Sequence, residues 1–289
     1  MKKIRKAVIP VAGMGTRFLP VTKSVAKEML PIVNKPTLHY IIEEAVQSGI
    51  EEILLITNPY KKVIEDYFDQ SYELEHRLEE KGKTDELTLV KEISNMARIY
   101  TIRQGEPLGS GHAVLLAKNF VGDEPFVVMY GDDLMKCERP ALQQLIDVYE
   151  KYDASVIGAM KVTEDVVERY GILELEDEKT GKLKTMVEKP KREEAPSLFA
   201  GLGRYIVKPE IFSVLEQLKR GVGNEYQFSD AMKELMKKEP FYMCEIDGTY
   251  YDTGSQFGYL KANIDFALQR EDLKEQVLEH MKQIIEEEK

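Results

Sequence analysis

The chain has no tryptophan, only two cysteines and no apolar run long enough to span a membrane. Cys137 and Cys244 lie outside any C-x-x-C spacing, which predicts two reduced thiols and argues against a structural disulfide or a cysteine metal site. Basic residues at 2–6 precede an apolar run, as in a signal peptide, but that run stops at Gly13 and is short for one. We therefore expect a cytoplasmic protein that does not insert into membranes.

Positive charge is also scarce, because 40 lysines and arginines face 51 acidic residues and leave a formal net charge of −11. This balance argues against a nucleic acid or an anionic membrane as the partner. The four histidines show no paired spacing, and no G-x-S-x-G nucleophile motif occurs. The sequence also lacks a P-loop and, with Phe18 in place of a third glycine, a dinucleotide fingerprint. Neither a covalent nucleophile nor a histidine metal cluster is expected.

The most informative segment is a glycine turn that follows an apolar, strand-like run at 7–11. Gly13 and Gly15 let backbone amides approach an anion closely, because no Cβ stands in the way. Arg17 and Lys27 then place positive charge where a polyphosphate would lie. A G-x-G turn alone is as often structural as functional. The cations at these offsets are what predict a phosphate site.

Short apolar runs alternate with amphipathic segments over the first two-thirds of the chain, which predicts an α/β fold with a mainly parallel sheet covered by helices. The predicted strands are 7–11, 52–57, 98–103, 125–130 and 154–159, and the predicted helices are 37–48, 61–68, 111–118 and 141–152. Polar loops follow the strands and gather at their carboxyl ends, where open α/β sheets bind ligands.

Three further segments depart from this alternation. Residues 70–95 are strongly charged with scattered leucines and predict a helical excursion, either a solvated one or an oligomer or lid contact. From 170 to 207 the pattern changes to short strands with a hairpin turn at 177–181, which predicts a second, smaller sheet over the nucleotide site that carries the sugar contacts. The stretch 272–289 predicts an amphipathic helix that packs on the body or on a partner subunit. No linker interrupts the chain, so a single domain over 1–289 is expected.

Motifs along nearly the whole chain resemble those of the sugar-1-phosphate nucleotidyltransferases, and they occur in that family's order. The segments that carry the resemblance are 7–17, 27–31, 34–36, 104–105, 109–113, 131–133, 170–172, 187–190, 203–205 and 251–254. Within the family, segments 27–31 and 224–231 and the charged insertion favour the bacterial uridylyltransferases that use UTP and glucose 1-phosphate. Residues 130–131 and 255–256 depart from the pattern of that branch, which bears on the choice of sugar.

The resemblance implies uridylyl transfer from UTP to glucose 1-phosphate on a Rossmann-like mixed sheet, with Mg²⁺. Apolar side chains on the amphipathic helix at 272–289 or in the 70–95 excursion predict a homodimer or homotetramer. It implies that Arg17 and Lys27 hold the triphosphate, that Lys189 binds the sugar phosphate, and that Asp132 binds Mg²⁺ with Asp252 as a second ligand. Further substrate contacts are implied at Ala12, Gly13, Gly15, Glu28, Gln104, Gly109, Gly171 and Glu188.

The residues themselves support some of these roles and leave alternatives open. Adjacent carboxylates at 132 and 133 suit Mg²⁺, but neighbours on an extended segment point in opposite directions, so one alone can face the ligand. The family pattern selects Asp132, and a turn or helix cap is the alternative. The Gln104 amide can read the O4/N3 edge of uracil or thymine. Because both bases share this edge, the same chemistry with dTTP remains open. Two further alternatives are another sugar 1-phosphate and a non-catalytic regulatory paralogue.

Overall fold

Thirteen strands form one large mixed sheet and two small ones in the computed structural model, which describes residues 2–288. The strands are β1 (Lys6–Pro10), β2 (Pro31–Ile32), β3 (Lys35–Pro36), β4 (Glu52–Thr57), β5 (Arg98–Arg103), β6 (Phe126–Met129), β7 (Asp133–Lys136), β8 (Ser155–Lys161), β9 (Gly171–Asp177), β10 (Lys182–Glu188), β11 (Phe199–Val207), β12 (Phe241–Glu245) and β13 (Thr249–Asp252). All five strands predicted from the sequence are present, with ends that differ by at most two residues.

The large sheet has nine strands in the order β5-β4-β1-β6-β11-β8-β12-β10-β9. Strands β5, β4, β1 and β6 are parallel neighbours, whereas β11 runs antiparallel to both β6 and β8. The middle residues of β1 and most of β4 are fully buried because helices cover both faces, as the unbroken apolar runs predict. The expected mixed, mainly parallel α/β sheet is confirmed.

Eleven α-helices accompany the sheet over the described residues. They are α1 (Thr37–Gln47), α2 (Lys62–Phe68), α3 (Tyr72–Glu80), α4 (Thr84–Ser94), α5 (Ser110–Leu115), α6 (Lys118–Val121), α7 (Ala141–Tyr152), α8 (Ile211–Leu215), α9 (Phe228–Met236), α10 (Gln256–Ala267) and α11 (Lys274–Glu287). Helices α1 and α7 bury their apolar sides on one face of the sheet, and α5, α8 and α9 on the other. The helix predicted at 111–118 is two short helices, because Leu116 and Ala117 interrupt it.

The expectation of a separate second sheet at 170–207 is wrong. Strands β9 and β10 form the predicted hairpin, but β10 pairs with β12 and β9 with β11, so both belong to the large sheet. Strand β11 has nine residues, enough to pair with β9 at its start and to lie between β6 and β8 further on. A shift in pairing register between Gly201 and Tyr205 accompanies this change of partner. The small sheet that does adjoin the site pairs β7 with β13.

The two charged or amphipathic segments are helical, as predicted. The excursion at 70–95 is the helix pair α3 and α4, and its apolar side chains Leu74 and Leu89 are exposed. Helix α11 covers 274–287 of the predicted 272–289, and residue 289 lies outside the described residues. No side chain of α11 is fully buried, which leaves its apolar stripe partly open.

Both cysteines are free thiols. Burial raises the pKa of Cys137 to about 11 and that of Cys244 to about 12, so neither is poised as a thiolate nucleophile. Over residues 2–288, no helix combines the length and the apolar character needed to cross a membrane.

Candidate active site

A cleft of about 290 Å³ opens at the carboxyl ends of β1, β5 and β6. Parallel strands present their carboxyl ends at one edge of the sheet, so loops far apart in sequence meet there. Seven of the predicted site residues line this cleft: Ala12, Gly13, Lys27, Glu28, Gln104, Gly109 and Asp132. The other predicted residues, Gly15, Arg17, Gly171, Glu188, Lys189 and Asp252, do not belong to its lining.

The glycine turn packs against the side chain of Lys27. Gly15 has a left-handed backbone with φ of 65°, and a Cβ there would lie 3.2 Å from both Thr22 Cγ2 and Lys27 Cβ. The lysine stem therefore passes close to the turn, and its ammonium contacts the Asp132 carboxylate. Burial lowers the pKa of Lys27, but the Asp132 and Glu28 carboxylates outweigh it and raise that pKa above the ordinary value.

The two adjacent aspartates point in different directions, as predicted, although Asp132 lies in the turn that precedes β7 and not on an extended strand. Asp132 lines the cleft, whereas the Asp133 carboxylate turns away and accepts hydrogen bonds from the Gly203 amide (2.7 Å) and the Tyr250 hydroxyl (2.9 Å). Fully buried Arg204 donates to the Asp133 carbonyl oxygen (2.7 Å). Burial, and next to it the Asp132 charge, raise the pKa of Asp133 to about 6. Asp133 thus ties β7 to β11 and β13, and Asp132 is the aspartate of the pair that faces the cleft.

Asp252 approaches Asp132 through the turn that follows β13. The Thr253 amide and hydroxyl both donate to the Asp132 carbonyl oxygen, at 2.9 and 2.7 Å. A Cβ on Gly254 would lie 3.0 Å from Asp252 Oδ1 and nearer still to Asp132 Oδ2, so both carboxylates meet above this glycine. Two carboxylates suit a hard divalent cation whose other ligands are phosphate oxygens or water. No group of three or more His, Cys, Asp or Glu side chains in the described part of the chain has metal-ligand geometry.

Arg17 lies at the rim, beside the turn that carries Asp252. Its side chain is exposed, and Nη1 donates to the Gly254 carbonyl oxygen over 3.4 Å. Arg17 therefore joins the glycine turn to the Asp252 turn, and its guanidinium stays accessible to an anion in solution.

Gln104 lines the opposite wall of the cleft and is held in place by its neighbours. Its Nε2 donates to the Gly109 carbonyl oxygen (3.1 Å) and lies 2.9 Å from His112 Nδ1. Gly109 has φ of 102°, and a Cβ there would lie 2.6 Å from the Tyr226 carbonyl oxygen. The sequence analysis gave none of the histidines a role at the site and missed this contact. The contact leaves the amide oxygen of Gln104 as the free group for a ligand.

The predicted sugar-binding residues form a second group beyond the cleft lining. Gly171 lies at the start of β9 opposite Glu188 at the end of β10, and a Cβ on Gly171 would lie 3.1 Å from Glu188 Oε2. Lys189 follows with φ of 46°, its amide donates to the Tyr170 carbonyl oxygen, and its ammonium lies 3.9 Å from Glu188. Both charged side chains are exposed. The charge of Glu188 nevertheless contributes to raising the pKa of Tyr130, a cleft residue, after the larger effect of burial.

Comparison with known proteins identifies the family to which the chain belongs. Residues 6–269 match the nucleotidyl transferase family. The chain belongs to that family. It is 49% identical to a UTP–glucose-1-phosphate uridylyltransferase of Bacillus subtilis (strain 168), with 100% of this chain and 99% of the relative covered. It is 50% identical to the enzyme of that name from Streptococcus pneumoniae serotype 4, with 99% of each chain covered.

Two solved structures extend the similarity of this nucleotidyl transferase to three dimensions. A UTP-bound UGPase from Acinetobacter baumannii matches with a TM-score of 0.88 and 37% identity, over 99% of this chain and 100% of that one. A UDP-glucose pyrophosphorylase complexed with UDP-glucose matches with a TM-score of 0.85 and 38% identity, over 93% and 100% of the two chains. The fold class expected from the sequence is confirmed by these structures.

Two residues that the sequence analysis did not select lie behind the cleft of this nucleotidyl transferase and contact residues of its lining. Lys61 forms an ion pair with Glu28 (2.6 Å), and Asn58 Nδ2 donates to the Ala12 carbonyl oxygen (2.7 Å). Both belong to the turn after β4. Their one sequence signal is a polar position after a buried strand, which many loop residues share.

Proposed function

We propose that the protein transfers the uridylyl group of UTP to glucose 1-phosphate and yields UDP-glucose and pyrophosphate. The observation that carries the proposal is the cleft itself, where Lys27 and Asp132 face Gln104 across the ends of parallel strands. Full-length similarity to proteins named UTP–glucose-1-phosphate uridylyltransferase supports the choice of substrates.

In the proposed step, a phosphate oxygen of glucose 1-phosphate attacks the α-phosphorus of UTP. A new P–O bond forms as the bond from the α-phosphorus to the bridging oxygen breaks, and that oxygen leaves with pyrophosphate. Because this displacement needs no covalent help from the protein, the residues act by positioning and by stabilising charge. Lys27 and Arg17 hold the leaving phosphates, with backbone amides of the turn at Gly13 and Gly15 beside them.

The sugar phosphate approaches from the side of β9 and β10. Lys189 screens the repulsion between the two anions, and Glu188 accepts hydrogen bonds from sugar hydroxyls. Gly171 leaves room for the sugar ring beside Glu188. These roles are supported by the position of the three residues at one end of the hairpin.

A divalent cation, which we propose to be Mg²⁺, completes the site. When bound, it neutralises phosphate charge and orients the reacting oxygens. The Asp132 and Asp252 carboxylates, which meet above Gly254, are the residues that would hold it. We further propose a cytoplasmic location, which agrees with two free thiols, and a homodimer or homotetramer, which agrees with the open apolar stripe of α11.

The direct test is pyrophosphate release from UTP and glucose 1-phosphate, with Mg²⁺ and with a chelator. We expect turnover when Mg²⁺ is present and none with the chelator. Turnover should be fastest with UTP, measurable with dTTP and at background with ATP or GTP. Faster turnover with dTTP, or with another sugar 1-phosphate, would assign the same chemistry to a different substrate. Absence of turnover with every nucleotide would favour a non-catalytic paralogue.

A further inference from the structure

A buried ion pair lies against the cleft without belonging to the catalytic step proposed above. Lys61 and Glu28 are 5% and 1% exposed, and 2.6 Å separates Lys61 Nζ from Glu28 Oε2. Burying two charges costs free energy that their mutual attraction often does not recover, and apolar residues of similar volume serve a fold as well or better. The location of this pair therefore calls for an explanation beyond stability.

The pair is the first half of a row of four alternating charges. Lys61 contacts Glu28, which is the chain neighbour of Lys27, and Lys27 contacts Asp132. The charges act on one another along the row, since Glu28 helps to raise the pKa of Lys27, and Lys27 opposes the rise that burial causes in the pKa of Glu28. Without Lys61, the nearest cation left to Glu28 in this row is Lys27.

The turn that carries Lys61 also contacts a second residue of the cleft lining, Ala12. Asn58, three residues earlier, donates to the Ala12 carbonyl oxygen immediately before the glycine turn (2.7 Å). The Lys61 amide in turn donates to the Asn58 carbonyl oxygen (3.2 Å), so both anchors belong to one tight turn between β4 and α2. Glu28 is also confined from the other side, because a Cβ on Gly131 would lie 3.2 Å from its Cγ.

We propose that Lys61 is a positioning residue for the nucleotide: by holding Glu28, it keeps the Lys27 ammonium available to the phosphates. The inference rests on the proposed function for the identity of the nucleotide. Loss of Lys61 leaves a carboxylate beside Lys27 that competes with the phosphates for it. The expected effect falls on UTP and spares the sugar phosphate, which approaches from the β9–β10 hairpin.

The test compares Lys61→Met with the double variant Glu28→Gln/Lys61→Met and with the control Lys62→Met. Lys62 is the next residue, its side chain is 75% exposed, and its nearest carboxylate oxygen, on Asp66, is 4.0 Å away. UTP affinity is measured by calorimetry without acceptor, and KM for each substrate by pyrophosphate release. Tm is measured for every variant.

We expect Lys61→Met to raise the Kd for UTP about tenfold, as for the loss of a charged hydrogen bond, with KM for glucose 1-phosphate within about twofold. The double variant should bind UTP more tightly than Lys61→Met, because the competing carboxylate is gone. Lys62→Met should match the wild type. A purely structural pair would change Tm and leave the UTP affinity of the folded protein unaltered.

Two results would overturn the inference: UTP affinity within about twofold of wild type in Lys61→Met, or a double variant as weak as the single one. If Lys61→Met does not fold, Lys61→Gln replaces it, because the glutamine amide can still donate to Glu28 but carries no charge. Lys61→Gln should raise the Kd for UTP about threefold. Wild-type turnover is measured first. A wild type that binds UTP and makes no UDP-glucose contradicts the proposed reaction, while the Kd values still decide the role of Lys61.

Discussion

The two ends of the candidate site are built differently. At the proposed nucleotide end, Lys27 and Glu28 form ion pairs with residues of other loops, and Gln104 is held by hydrogen-bond contacts with Gly109 and His112. At the sugar end, Glu188 and Lys189 are exposed, and the nearest opposite charge to each is the other, at 3.9 Å.

This difference follows from the elements that carry each end. The residues of the proposed nucleotide end follow the carboxyl ends of parallel strands, where several loops converge, whereas the residues of the proposed sugar end lie at the end of a hairpin at the opposite edge of the sheet. Groups that are fixed in advance stabilise a transition state without reorganisation, and exposed groups must be ordered by the ligand. We therefore expect substitutions at the two ends to separate UTP binding from sugar binding.

The largest effect should come from Asp132, the proposed ligand of the divalent cation. Asp132→Asn should leave the fold intact and lower kcat by roughly a hundredfold, as for the loss of one preorganised electrostatic group. Steady-state turnover in Mg²⁺ measures this, with exposed Asp123→Asn as the control. Near-normal turnover would remove Asp132 from the metal role and leave Asp252 as the carboxylate to test.

A smaller effect, confined to the nucleotide end, is expected from Gln104. Gln104→Leu should lower kcat/KM for UTP by roughly ten- to a hundredfold, because an unpaired polar group costs about 1–3 kcal/mol. The KM for glucose 1-phosphate should stay unchanged. The neighbouring Arg103→Leu is the control, since that side chain is exposed at the end of β5. Normal use of UTP by the mutant, with full discrimination against purines, would show that the base is read elsewhere.

At the sugar end the expected effect is smaller again, because Glu188 is exposed. Glu188→Gln should raise KM for glucose 1-phosphate about three- to tenfold, since one hydrogen bond to a charged group weakens, while KM for UTP stays unchanged. Both constants come from pyrophosphate release at fixed concentrations of the other substrate. Glu178→Gln, in the turn between β9 and β10, is the matched control. A change confined to KM for UTP would place Glu188 at the nucleotide end.

The smallest effect on catalysis should come from helix α11, which contributes no residue to the candidate site. Its exposed apolar side chains, among them Ile284 and Ile285, predict a subunit contact. Light scattering at micromolar concentration should give at least a dimer, and Ile285→Asp should lower the mass with little change in kcat. A wild-type mass of one chain would contradict this prediction.

Much of the fold could be predicted because its signals are local. The buried run of β4 and the helix at 141–152 have their predicted bounds, since apolar periodicity and flanking turn residues lie within the same short window. The different directions of Asp132 and Asp133 were predicted from the pleat of an extended chain, whereas in the structure they arise where a turn at Asp132 enters β7 at Asp133. The roles assigned to the site residues stay predictions.

What the sequence by itself determined was the family pattern, the alternation of strands and helices, and the set of charged and glycine residues that the strand ends bring together. Tertiary structure alone decided that β9 and β10 join the large sheet, that His112 holds Gln104, and that Lys61 pairs with Glu28. Pairing of distant strands depends on which edges remain free after the other strands have packed. A buried ion pair depends on two loops meeting, 33 residues apart in the chain, and no local periodicity records that meeting.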